Sequence, residues 1–320
     1  MKPNILLITS DQHRADCYGF EGRGVKTPHL NRMAETGTRF ANCITPNVVC
    51  QPARASMLTG LLPLSHGVYD NHVSLDPKIG EQGWAGTLSK NGYQSAFIGK
   101  SHFGENPNCT PFGAPESRAG SADFPETWNG PYMGFEHAEL MILGHWHDLL
   151  PCEKPPRGQH FERWFWEHGE EGEAWKLWAE DFGPKQEAAQ TWFSKLPDKW
   201  HSTTWVTDRT IEYLESHDQN EPFCLWTSYP DPHHPFDCPE PWSRLHHEEE
   251  VDDYRPEKEV SIEASSESPD VGISVDGDVT INLEVETESD DDEDEGEEDS
   301  LDDVLAASDD DEDVEKEEES

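Results

Sequence analysis

Asn4-Ile5-Leu6-Leu7-Ile8-Thr9, followed at once by Ser10-Asp11-Gln12, is the stretch on which the fold turns. A continuous apolar run of strand length, bounded by polar residues, has the pattern of a strand buried on both faces in a parallel sheet. Open α/β sheets place their ligand sites beyond the carboxyl ends of strands, so a carboxylate and an amide at that point form the first candidate functional pair. The run is too short for a signal-peptide core or a membrane span, and no other long apolar run occurs in the 320 residues. We therefore expect a cytoplasmic protein that does not engage a membrane.

Working outward, Thr27-Pro28 reads as N-cap and first helical residue, with Leu30, Met33 and Ala34 at helical spacing and Gly37 as the stop. Phe40 to Thr45 reads as a second strand. Pro52 opens another helix that ends at Gly60, which leaves Cys50 just ahead of a helix N-terminus, where free N–H groups and the dipole favour an anion. Trp84 to Asn91 has the pattern of a helix closed by Gly92, and Gln94 to Ile98 that of a strand delivering Gly99, Lys100, Ser101 and His102 to a loop. Residues 105 to 200, rich in Pro, Gly and Trp, predict long surface excursions with a few short helices. A helix from about Thr204 to Ser216 and a strand from Phe223 to Ser228 follow, and the strand ends in Tyr229-Pro-Asp231-Pro-His233-His234-Pro-Phe236. The fold class is α/β, with a largely parallel sheet flanked by helices.

Charge divides the chain in two. From Glu248 onward there are 35 acidic residues against 3 basic, a net of −32 that leaves about −12 of the formal −44 to residues 1 to 247. Every Trp and Phe also lies in that first part. Residues 1–247 can bury a core, whereas 248–320 hold too few apolar groups to offset their ordering entropy and are expected to form a disordered acidic tail. Within it, only Val271 to Glu286 alternates as a hairpin would, around Asp276-Gly277. So acidic a chain, with no basic stripe, excludes nucleic acid as its main partner. The seven cysteines are odd in number and form no C-x-x-C pair, which fits a reducing compartment and argues against a zinc site.

The sharpest chemical signal is Cys50-Gln-Pro52-Ala-Arg54-Ala-Ser56-Met-Leu58-Thr59-Gly60. A bare C-x-P-x-R arises by chance in roughly one chain of this length in a hundred, and the added Leu-Thr-Gly makes coincidence negligible. This string resembles the signature of the sulfatase family, in which a separate maturing enzyme oxidises that cysteine to formylglycine. Gly99-Lys100-Ser101-His102-Phe103-Gly104 resembles the family's G-K-x-H-x-G loop, and Asp231-Pro-His233-His234-Pro235 its H-x-P element. The resemblance implies an alkaline-phosphatase-like fold and a sulfuric ester hydrolase. Residue 50 would be the nucleophile and Arg54 would hold the aldehyde hydrate. Lys100 and His102 would bind the transferring group, with His233, or its neighbour His234, facing the leaving oxygen.

The chemistry accounts for these parts. A hydrated aldehyde carries two hydroxyls on one carbon; one attacks sulfur, and loss of the proton from the other expels sulfate and regenerates the aldehyde. The attacking hydroxyl needs a cation beside it, so Asp11, Gln12 and residue 50 are the expected ligands of a divalent metal, Ca²⁺ first, with Mn²⁺ or Mg²⁺ as alternatives. The implied partners are a small-molecule or saccharide sulfate ester and the formylglycine-generating enzyme. Asp-Gln, where sulfatases commonly have two aspartates, is similar to the subgroup that includes phosphonate monoester hydrolases, so phosphonate or phosphate esters are the alternative substrates. Family members continue with a strand ending in Asp-His or Asp-Asn, a further lysine and a smaller domain. None is found here, so the resemblance stops near residue 247, a truncated sulfatase is expected, and a non-catalytic binding protein is a third reading.

Overall fold

The computed structural model describes residues 2–104, 115–116, 124–141, 160–168, 172–180, 190–218, 220–246 and 251, together with the backbone of 259–260 and 280–281. The chain divides into a unit spanning Met1–Asp253 and a second spanning Tyr254–Ser320. In the first, β1 (Ile5–Ser10), β2 (Gln94–Lys100), β3 (His137–Met141) and β4 (Phe223–Tyr229) form one parallel sheet in the order β1-β4-β2-β3. In the second, Glu259–Val260 pairs in parallel with Thr280–Ile281. Apart from Thr280–Ile281, the hairpin read from the alternation about Asp276-Gly277 and the expected disorder of the tail lie outside the described residues.

The sheet is covered according to strand periodicity. On one face Phe97, Ala138, Leu140 and Trp226 pack with Phe103 and Phe135 beneath α2 (Cys50–Thr59) and α3 (Trp84–Ser89). The ring centroids of Phe97, Phe103, Phe135 and Trp226 lie 5.3–6.4 Å apart, at tilted or edge-on angles that suit aromatic quadrupoles. On the other face Ala96, Ile98, Met141 and Leu225 pack against α4 (His160–Glu167), α5 (Glu173–Ala179) and α6 (Ser202–Ser216). The expected short helices within residues 105–200 are present as α4 and α5, but the described parts of this stretch are not only surface excursions: they contribute a buried strand and a tryptophan-rich half of the core. Trp175, Trp178 and the helical Phe161 and Phe165 are large enough to bury an apolar surface without a long periodic run.

Three local expectations are corrected. Among the described residues β1 is an edge strand, not one buried on both faces: Leu7 packs into the core, while Leu6 and Ile8 are 43% and 53% exposed and α6 packs mainly on β4 and β2. Phe40 to Thr45 forms no strand, and with Phe40 78% and Ile44 90% exposed it has no sheet neighbour among the described residues. The predicted helix over 28–36 does form as Pro28–Thr36, yet it buries none of its residues, and Thr27 spends its hydroxyl on Asn31 and the Gly19 N–H rather than on the helix end.

The outer strand β3 is tied to α6 by charge. Arg209 grips the Glu139 carboxylate through Nε at 2.5 Å and Nη2 at 2.9 Å, and His137 Nε2 lies 2.9 Å away. Burial alone would raise the pKa of Glu139; the hydrogen bonds from His137 and Arg209 override it and hold the group at about 2. A carboxylate depressed in the folded state stabilises the fold above its unfolded pKa, and that contribution is lost as pH falls through the folded value. We expect stability to fall by ~2–3 kcal/mol as pH drops from about 4.5 to about 2, with much of that slope missing in Glu139→Gln. Urea denaturation across this window checks it; identical slopes in both proteins would refute the assignment.

Candidate active site

Three adjacent strands deliver their carboxyl ends to one place. β1 runs directly into Asp11, β2 ends in Lys100 and leads to His102, and β4 leads through Pro230 to His233. The fourth contributor is α2, whose first residue is Cys50, so the cysteine belongs to the first helical turn rather than preceding it. Gly60 closes that helix at φ 72°, in the left-handed region where glycine carries no Cβ penalty. Gly99, at φ 112°, is required more strictly: a Cβ there would meet the Ser228 carbonyl oxygen at 2.0 Å across the β2–β4 pairing. The chain turns sharply after β1 and β2, with Gln12 and His102 at φ 56° and 51°. Left-handed non-glycine residues of this kind are strained by order 1–3 kcal/mol and cluster at functional sites.

Asp11 is the anion at the centre. Its carboxylate receives the Lys100 ammonium, lies 3.6 Å from Arg54 Nη2 and accepts from Cys50 Sγ at 3.6 Å. Burial would raise its pKa, but the Arg54 and Lys100 cations overcome that and hold it well below the usual carboxylate range. Arg54, one turn along α2 from Cys50, also donates Nη1 to the Lys100 carbonyl at 2.5 Å and to Ser228 Oγ at 2.8 Å, which stitches the ends of β2 and β4 together. Lys100 and Arg54 are 2% and 5% exposed, so two cations face one carboxylate out of solvent.

Both histidines stay neutral near pH 7. Burial and the Lys100 charge lower His233 to about 4, and the same influences, with Arg54, push His102 well below its ordinary value. His233 donates Nδ1 to the His234 carbonyl at 2.6 Å, which makes Nε2 the unprotonated nitrogen of the neutral ring. Burial pushes the Cys50 thiol up, and Asp11 adds to that effect, so the unmodified side chain is a poor nucleophile. The group therefore holds one negative and two positive charges at a helix N-terminus, a setting for an oxyanion.

Ligand atoms of Asp11, Cys50 and His233 lie within 4.8 Å of one another. An ionised buried carboxylate, an imidazole nitrogen and the residue-50 side chain are a donor set a divalent cation can use, and the buried His102 Nδ1 has no hydrogen-bond partner in the structure. The residues present therefore fit such an ion. His233 joins the expected Asp11 and residue 50 in this group, while Gln12, next to Asp11 in the chain, is exposed.

One supporting group escaped the sequence reading. His201, buried at the N-cap of α6, lies 3.9 Å from both Asp231 and Asp237, and their charges raise its pKa against the effect of burial. Asp231 also accepts from Ser202 Oγ at 3.0 Å and Thr203 Oγ1 at 2.5 Å. These contacts clamp the His233 loop to the start of α6. The only sequence signal was an Asp on each side of the histidine pair.

The family described as Sulfatase matches residues 3–261. The N-acetylglucosamine-6-O-sulfatase of Bacteroides thetaiotaomicron is 27% identical over 235 residues, covering 72% of this chain and 31% of that protein. An arylsulfatase of Clostridium perfringens is 30% identical over 257 residues, covering 78% and 47%. The phosphonate monoester hydrolase of Agrobacterium radiobacter superposes with a TM-score of 0.59 at 24% identity, over 79% of this chain and 45% of that one, which establishes the shared alkaline-phosphatase-like fold. The chain thus spans about a third to a half of the length of these relatives.

Removing the central carboxylate leaves two buried cations uncompensated. Asp11→Asn is expected to lower stability by ~3–5 kcal/mol, and adding Lys100→Met to it to recover part of that loss. A double-mutant cycle in urea measures the coupling; additive effects would mean the two side chains do not interact.

Proposed function

Because the chain belongs to the sulfatase family, we propose that it is built to hydrolyse sulfuric esters at residue 50, on a small-molecule or saccharide substrate. The observation that carries this reading is the excess of positive charge around Asp11 at the N-terminus of α2. A sulfate ester brings a tetrahedral group with one negative charge, and charge on its oxygens grows as the ester bond breaks. Lys100 and Arg54, fixed by burial before any ligand arrives, meet that charge without reorganising. The positive end of the α2 dipole adds to the same field.

Cys50 is the residue a maturing enzyme would convert to formylglycine. Its raised thiol pKa supports a need for such conversion, since the thiol itself is poorly activated. Asp11, His233 and residue 50 would hold the divalent ion, with Gln12 close in sequence; hard oxygen donors favour Ca²⁺, and the imidazole keeps Mn²⁺ open. When bound, that ion supplies the positive charge that makes a neighbouring hydroxyl acidic at neutral pH. His102, neutral, can offer an N–H to the departing alcohol oxygen, whereas His233, whose Nδ1–H is committed to the His234 carbonyl, offers the lone pair of Nε2 to the ion. Phosphonate esters are the second reading, favoured by Gln12 where sulfatases commonly carry a second aspartate.

The test pairs peptide mass spectrometry of Cys50 with hydrolysis of an aryl sulfate, an aryl phosphonate and an aryl phosphate, after coexpression with a maturing enzyme. Conversion of Cys50 is expected, with sulfate ester the preferred substrate, activity abolished by Cys50→Ala and lowered at least ~100-fold by Lys100→Met. Faster phosphonate hydrolysis would transfer the assignment to the second reading. A plain thiol at position 50, or hydrolysis indifferent to Cys50→Ala, would sink both.

A further inference from the structure

His233 also borders a separate space. A cavity of about 450 Å³ is walled by Pro235, Phe236 and Trp242 on its apolar part and by Asp198, Asp231 and Asp237 on its polar part. Among the described residues no lysine or arginine lines it. His201 contributes an imidazole, but that ring sits between two carboxylates, so the balance of the lining remains negative. The hydroxyl donors to Asp231 satisfy hydrogen bonds without neutralising its charge. Phe236 and Trp242 are 48% and 55% exposed, which leaves much of each ring open to a ligand. The sign of charge therefore reverses across His233: an excess of cations lies beside Asp11, and an excess of carboxylates with open aromatic rings lies in the cavity.

Resting on the sulfatase reading, we propose that this cavity receives the alcohol part of the ester and selects a leaving group bearing a fixed positive charge, such as an aryl or alkyl quaternary ammonium. A quaternary ammonium cannot donate hydrogen bonds, so it is recognised by aromatic rings and by carboxylates held near it, the combination present here. A trimethylammonium-substituted phenol fits within the volume, which lies in the range of ordinary small-molecule sites. A leaving group carrying a second sulfate meets three aspartates against the single imidazole of His201, and is rejected by the net repulsion together with the loss of its hydration. The substrate class set by this cavity thus differs from a polysulfated saccharide.

Calorimetric titration of the full chain with three phenols tests this without requiring any conversion of Cys50: (3-hydroxyphenyl)trimethylammonium, its neutral isostere 3-tert-butylphenol, and 3-hydroxybenzenesulfonate. The ammonium compound is expected to bind about tenfold tighter than the neutral one, with the sulfonate weakest. Trp242→Ala should erase most of that preference, and Asp198→Asn should reduce it while leaving the neutral phenol unaffected; both residues are exposed, so both variants are expected to fold. Equal binding of the three phenols, tightest binding of the sulfonate, absence of saturable binding, or a preference unchanged in Trp242→Ala would each overturn the proposal. Failure of the sulfatase reading shows separately, in the mass and activity of residue 50, while the phenol ranking reports only on the cavity.

Discussion

The contact between the Asp11 carboxylate and the Lys100 ammonium, with Arg54 alongside, is the constraint on which the site depends. It joins the ends of β1 and β2, and through Arg54 it reaches the Lys100 carbonyl and Ser228 on β4. A buried anion with two buried cations is costly to desolvate, and the arrangement is tolerable only because every charge has a close partner and Arg54 has backbone and hydroxyl acceptors as well. The arrangement contributes position more than stability. It fixes two cations at the sheet's carboxyl edge beside Cys50, with one positive charge in excess, before any ligand enters.

The surrounding structure serves that placement. Gly99 lets β2 pass the Ser228 carbonyl, the aromatic cluster under α2 sets the height of Cys50 over the sheet, and the His201 group holds the His233 loop against α6. Elsewhere the fold is less complete. One face of β1 and all of α1, the helix over Pro28–Thr36, present apolar residues without cover among the described residues, in a chain that spans only part of the length of its relatives. Stability in this unit therefore rests mainly on β2, β3 and β4 and the helices packed on them.

Much of this was legible in the residues. The apolar run before Asp11, the Pro-started helix after Cys50 and the strand before Lys100 each carry a strong local signal, and the structure brings Asp11, Cys50, Arg54, Lys100 and His233 together at the strand ends. The family resemblance was legible from the Cys50 string alone, because several specific residues at fixed spacing outweigh any propensity. What failed did so for tertiary reasons. The apolar run at β1 cannot reveal that its far face lacks a covering helix, and Phe40 to Thr45 has strand-like composition but no strand beside it. β3 and the tryptophan-rich core hid in a stretch without periodicity, where a few large side chains do the burying. His201 was invisible because its partners lie some 30 residues away in sequence and meet it only after folding.

The charge balance at Asp11 is also the most exposed part of the account. Titrating the full chain with inorganic sulfate, followed by calorimetry at moderate ionic strength, asks directly whether this pre-set field holds a tetrahedral oxyanion. A single saturable site, weakened at least ~tenfold in Lys100→Met and indifferent to Trp242→Ala, is the predicted result. Unsaturable binding, or a site whose affinity ignores Lys100, would contradict it.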